Sequence, residues 1–80
     1  MKISLLAFGI TKDILGAREL TLELPEPASV DSLLAFLAAR YPQFSDLQSL
    51  RVAVNSEYAP GNHSISPNDE IVLIPPVSGG

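Results

Sequence analysis

Apolar and polar positions along this chain divide it into one clear helix and several short strands. Lys2–Ile10 reads as a first strand, with Ile3, Leu5 and Ala7 on one face and Leu6, Phe8 and Ile10 on the other. Apolar residues on both faces suit a central strand, or one whose outer face a partner covers. Gly9 marks a bulge or a close approach of another backbone. Thr11–Gly16 predicts one helical turn closed by glycine. Arg18–Leu24 alternates cleanly, with Leu20, Leu22 and Leu24 inward and Glu19, Thr21 and Glu23 outward, as a half-solvated strand near a sheet edge does. Pro25-Glu26-Pro27 stops it.

The helix is expected from Val30 to Arg40. Ser29 is a suitable N-cap, and Asp31 complements the positive end of the helix dipole. Val30, Leu33, Leu34, Leu37, Ala38 and Tyr41 recur at helical spacing and make one apolar stripe, with Phe36 off it and free to pack against a loop. Pro42 ends the helix, because the residue before a proline resists helical geometry. Gln43–Leu50 reads as a connector with a short helical turn, anchored by Phe44, Leu47 and Leu50. Arg51–Asn55 is a short strand with Val52 and Val54 inward, and Glu57–Ala59 a brief edge pairing. Pro60-Gly61-Asn62 and Ser66-Pro67-Asn68-Asp69 are turns. Glu70–Ile74 is the last strand, with Ile71 and Leu73 on one face and Val72 and Ile74 on the other.

A single helical stripe buries one face of one sheet, which predicts an α+β fold of two layers over a single domain, residues 1–80. The first and last strands are the most apolar, so they belong side by side in the middle of a mixed sheet. They are then parallel, with the helix in the crossover and packed on one face. That is the β-grasp arrangement.

Composition narrows the chemistry. The 80 residues are 46 % hydrophobic and 18 % charged, which suits a packed globule. The net charge of −4 argues against nucleic acid and favours partners with basic surfaces. No stretch approaches the length of a membrane span, and the apolar start lacks a small-residue cleavage site, so a cytoplasmic location is expected. The chain has no cysteine, which removes disulfides, thiolate metal sites and persulfide chemistry on its own side chains. His63 reads as a solvated loop residue, with no metal cluster around it. No catalytic triad and no phosphate-cradling glycine loop is legible. The chain is therefore not expected to catalyse anything alone.

What remains is the tail, residues 75–80. Pro75 and Pro76 remove two backbone donors in succession and end strand pairing. Ile74 and Pro75 each precede a proline and are held extended, so the exit is stiff. Val77 to Gly80 then reach roughly 13 Å further. Ser78, Gly79 and Gly80 make a slim probe suited to a partner's tunnel. The α-carboxylate of Gly80 is the remaining reactive group. An ATP-using partner could adenylate it, and a sulfur donor could then convert the acyl-adenylate to a thiocarboxylate with no side chain blocking the carbonyl.

The stretch Asp69–Gly80 with its Pro-Pro-x-Ser-Gly-Gly ending resembles the small-subunit family of molybdopterin synthase, the ubiquitin-like sulfur carriers. So do Phe8-Gly9, Lys12–Gly16, Ala39-Arg40-Tyr41-Pro42 and Val52-Ala53-Val54-Asn55, and the likeness spans essentially the whole chain. It implies a ubiquitin-like β-grasp fold and a Gly80 that is adenylated and thiocarboxylated. It also implies insertion of Pro75, Pro76, Val77, Ser78 and Gly79 into the active site of a larger synthase subunit, usually in a heterotetramer. There sulfur passes to cyclic pyranopterin monophosphate to build molybdopterin. The implied partners are that large subunit, a ubiquitin-activating-like adenylyltransferase and a sulfurtransferase. ATP is used by the activating partner, and this chain itself binds no cofactor and no metal. Many relatives carry an aromatic at the Ile74 position and an arginine near Lys12, departures that bear on partner fit. The outer face made by Leu6, Phe8, Val72 and Ile74 is expected to dock both the activating enzyme and the large subunit. A sulfur carrier for thiazole synthesis, a ubiquitin-like protein modifier and a purely structural interaction module are the alternatives.

Overall fold

The structure is a computed structural model, which describes residues 1–47 and 50–75. Its order is β1 (Lys2–Ala7), α1 (Gly9–Leu15), β2 (Glu19–Glu23), β3 (Ala28–Ser29), α2 (Val30–Arg40), a 3-10 helix (Pro42–Asp46), β4 (Arg51–Val54), β5 (Glu57–Tyr58), β6 (Ser64–Ile65) and β7 (Glu70–Ile74). Five strands form a mixed sheet in the order β2-β1-β7-β4-β5. The first and last strands are parallel neighbours, Leu5 beside Ile71 and Ala7 beside Leu73, and the other pairings are antiparallel. This is the ubiquitin-like β-grasp arrangement that the apolar pattern of β1 and β7 predicts.

One face of the sheet is closed by α2. Ile3, Leu5, Ile71, Leu73, Val52 and Val54 meet Val30, Leu33 and Leu37 of the helix, and all are buried. The helix begins where Ser29 predicts. The Ser29 Oγ accepts from the Ser32 N–H at 3.2 Å, and the Ser32 Oγ accepts from the Ser29 N–H at 2.7 Å. That reciprocal pair satisfies donors that the first turn leaves without helical partners. The 60–63 turn supplies two more acceptors, with Val30 N–H donating to the His63 carbonyl and Asp31 N–H to the Gly61 carbonyl. Phe36 is half-buried. It lies against the flank of the core, with the Arg40 guanidinium 4.9 Å from its ring centre.

The first strand stops three residues earlier than its alternation suggests. Phe8 and Ile10 are not strand residues, and Gly9 is not a bulge: it opens α1 at φ +57°. Thr11 is the physical cause. It is fully buried, and its hydroxyl accepts from the Phe8 N–H at 3.0 Å and donates to the Phe8 carbonyl at 2.6 Å. Those bonds occupy the main-chain groups that Phe8 would need to continue a ladder. Thr11→Val keeps the shape and deletes both bonds, leaving the partly buried Phe8 N–H without this acceptor while the Phe8 carbonyl keeps the Thr11 and Lys12 N–H donors. We expect a loss of about 1–3 kcal/mol in urea unfolding, with Thr11→Ser costing clearly less.

Gly16 closes α1 at φ +77°, and its N–H donates to the Lys12 carbonyl at 2.8 Å, as a left-handed C-cap does. One pairing and one turn go beyond the sequence reading. β3 and β6 form a separate two-stranded sheet, Ala28 beside Ile65. Asn55 and Ser56, both at positive φ, form the two-residue turn between β4 and β5.

Candidate functional site: the tail exit and the outer sheet face

The strand that leads to the tail lies between β1 and β4, so the exit from the body is at the middle of the sheet, not at an edge. Ile74 pairs with Arg51, and Pro75 follows it, half-buried. The ring of Pro75 rests on Gly9: a Cβ built on that glycine would lie 3.1 Å from Pro75 Cγ. The approach expected at Gly9 is therefore that of a proline ring, not a backbone. Pro76, Val77, Ser78, Gly79 and Gly80 lie outside the described residues.

The face of the sheet turned away from α2 carries two kinds of surface. Toward β2 it is polar, with Glu19, Thr21 and Glu23 exposed beside Ser4 and Lys2. Toward β5 it is apolar. Leu6 and Val72 are register neighbours, Val72 is also paired with Ala53, and Ala53 with Tyr58, so one row crosses four strands. Leu6, Val72 and Ile74 are half-buried, and none of them joins the core cluster. Phe8 stands at the end of this face, 46 % exposed, as the N-cap of α1 and not as a strand residue. The structure thus groups Leu6, Val72 and Ile74 on the sheet and sets Phe8 at the margin beside the exit.

Sequence reasoning missed Tyr58 and Ala53 on this face. Tyr58 is 65 % exposed and borders an open hollow of 360 Å³ with Ala53, Ser56, Val72 and Ile74. The Arg51 guanidinium stands 5.4 Å from the Tyr58 ring centre, within cation–π range. The signal was available: Val52 and Val54 inward require Ala53 outward, and its hairpin partner must share that face. The hollow is lined mainly by apolar side chains, and it opens beside the strand that leads to the tail.

At the other end of β7 a carboxylate ties two turns together. Asp69 Oδ2 accepts from the Ser66 N–H at 2.8 Å, and its Oδ1 from Asn55 Nδ2 at 2.9 Å. Asn55 in turn accepts from the Glu70 N–H at 2.9 Å. The Ser66 N–H and then the Asn55 amide hold Asp69 below its ordinary pKa of 3.8, against a smaller opposing effect of burial and with a still smaller contribution from His63. The unfolded chain therefore takes up this proton at higher pH than the folded one. The stabilisation is complete above the ordinary carboxylate value and is lost as pH falls through the depressed one. Urea midpoints of the wild type should fall more steeply below about pH 4 than those of Asp69→Asn. Parallel curves would remove Asp69 from the acid response.

His63 is an exposed turn residue, and its main chain is what the fold uses. Among the described residues no group of three His, Asp or Glu side chains could hold a metal ion, and no helix is long and apolar enough to cross a membrane.

The model of the family described as ThiS matches residues 5–80. The chain belongs to the ThiS family. Within it, a relative from Dictyostelium discoideum named molybdopterin synthase sulfur carrier subunit is 37 % identical over 83 residues, covering 99 % of this chain and 96 % of its own. Among solved structures, a putative molybdopterin converting factor subunit 1 from Pyrococcus furiosus superposes with a TM-score of 0.87 at 24 % identity, over 96 % of this chain and 99 % of its own. Subunit 1 and 2 of the molybdopterin-converting factor from Helicobacter pylori, solved as a protein–protein complex, gives a TM-score of 0.68 at 23 % identity over the full length of both chains. The last two, at those identities, speak for the ubiquitin-like fold of this ThiS-family chain.

Proposed function

We propose that this chain is the sulfur-carrier small subunit of a molybdopterin synthase. The Gly80 carboxylate attacks the α-phosphorus of ATP on an activating adenylyltransferase, and pyrophosphate leaves. The outer sulfur of a persulfide on a sulfurtransferase then attacks the acyl carbon, and AMP leaves. A second thiol reduces the resulting acyl disulfide, forming a disulfide with the transferase sulfur, so that the chain ends in a thiocarboxylate. The tail, Pro76 to Gly80, enters the large subunit and delivers its sulfur to cyclic pyranopterin monophosphate. ATP is spent on the partner, and this chain supplies position and a reactive end.

The observation that carries this reading is the end-to-end likeness to relatives named molybdopterin synthase sulfur carrier subunit. The placement of β7 supports it, since a central strand gives the tail a firm base beside an apolar face. The same names rank the pterin pathway above thiazole synthesis and above protein modification. Incubation with activating enzyme, ATP and a sulfur donor tests the chemistry by intact mass. One oxygen replaced by sulfur is the expected product, and a stable conjugate with target lysines would point to a modifier instead.

The apolar half of the outer face, Leu6, Val72 and Ile74 with Phe8 at its margin and Tyr58 across it, is the docking surface in this reading. The large subunit is the occupant, as the complex of the two Helicobacter pylori subunits suggests. Phe8→Ala and Tyr58→Ala should each weaken association with the large subunit by about 10-fold, the scale of a truncated aromatic anchor, with little change in thermal stability. Titration calorimetry showing unchanged affinity for both variants would place the interface elsewhere.

A further inference from the structure

We infer that Gly9 is a positioning residue for the tail: its bare backbone is the seat on which the Pro75 ring rests, and the seat sets the direction in which the chain leaves the sheet. The inference rests on the reading that the tail is the working part of the molecule. β1 and β7 run parallel with Ala7 beside Leu73, so continuing that register brings Phe8 beside Ile74 and Gly9 beside Pro75. There β1 turns into α1, at a glycine with φ +57°. A Cβ on Gly9 would stand 3.1 Å from Pro75 Cγ and 3.9 Å from Pro75 Cβ. Carbon atoms rest at about 3.5–4.0 Å, so a side chain here would push the ring aside.

Both walls of this contact are stiff. On one side the buried Thr11 hydroxyl holds the N–H and the carbonyl of Phe8, which fixes the main chain entering Gly9. On the other, Ile74 is paired with Arg51 of β4, and the ring of Pro75 locks its own φ. A proline follows, which biases Pro75 toward extended geometry. With so few free dihedrals between the sheet and the tail, a small tilt of the Pro75 ring becomes a larger sideways swing further along. Gly16 offers the contrast. It also has positive φ, at +77°, but a Cβ there would meet nothing within 4 Å. Gly16 serves the conformation of the backbone alone, whereas Gly9 serves both conformation and clearance.

The test is a double-mutant cycle with Gly16→Ala as the control for backbone strain. The chain has no cysteine, so Ser78→Cys carries a single nitroxide label whose broadening of amide signals maps where the tail goes. Gly9→Ala should redistribute that broadening, Gly16→Ala should not, and Gly9→Ala/Pro75→Ala should match Pro75→Ala alone. In unlabelled, thiocarboxylated protein, Gly9→Ala should slow sulfur transfer in the large subunit by at least ~10-fold, on the scale that a displacement of about 1 Å costs. Affinity for the large subunit should stay within about twofold, and the double variant should return to the rate of Pro75→Ala. Additive losses, equal losses in Gly16→Ala, or an unmoved tail with Gly9→Ala would each overturn the inference. Should the wild type accept no sulfur at all, the proposed function falls, while the label still decides whether Gly9 directs the tail.

Discussion

Removing Gly80, or extending the chain past it by one bulky residue that is not trimmed, is expected to abolish thiocarboxylate formation and to leave the unfolding transition unchanged. The reason is chemical. No cysteine is present to carry sulfur, so the proposed activity requires a carboxyl group with an unhindered carbonyl at the end of the chain. Gly80→Ala adds one methyl group beside that carbonyl and should retain part of the activity. An added aromatic residue moves the reactive carbon and blocks the approach, and should retain none. Intact mass after incubation with activating enzyme, ATP and a sulfur donor reads the first result, and a urea titration the second. Cofactor assembly by the untrimmed, extended form would defeat the sulfur-carrier reading outright.

The second large effect belongs to the core. Leu73→Ala should lower stability by about 2–5 kcal/mol, as truncation of a fully buried leucine does. Leu73 has no exposed surface, stands between Ala7 and Val52 in the middle of the sheet, and faces α2. At ~0.05–0.15 kcal/mol per residue a chain of this size has only about 4–12 kcal/mol in total. The variant should therefore melt about 10 °C or more below the wild type, and a loss at the upper end of the range would leave it largely unfolded where the total is at its lower end. Its neighbour gives the control. Val72 points to the outer face, so Val72→Ala should cost under ~1 kcal/mol and act on docking instead. Equal melting of the two variants would mean that the faces of β7 have been exchanged.

The elements that the sequence made legible are those whose signal is local and redundant. The bounds of α2 at Val30 and Arg40 agree with the Ser29 cap, the apolar stripe and the Pro42 stop. β7 agrees with Glu70–Ile74 because its alternation is bracketed by the 66–69 turn and Pro75. The centre of the sheet followed from which strands are apolar on both faces. At the β1–α1 junction the local signal misleads. Phe8 and Ile10 continue the alternation of β1, and only the buried hydroxyl of Thr11 ends it. β3 and β6 are two residues each and carry no periodicity to find. Tyr58 is an aromatic in an edge strand of two residues, and its place on the outer face comes from its pairing with Ala53. The seat of Pro75 on Gly9 joins opposite ends of the chain, so no window of sequence contains it.

The last strand among the described residues is also the keystone of the sheet, flanked by the first strand on one side and by β4 on the other. A nascent or shortened polypeptide lacking it has a gap where its midline should be, and a chain-closing contact of that range forms late and slowly. Under the proposed function, an enzyme that engages β7 together with the residues beyond it would meet only molecules whose sheet has closed. The hydrogen bonds of β7 with β1 and β4 would then both close the body and select the folded form for activation.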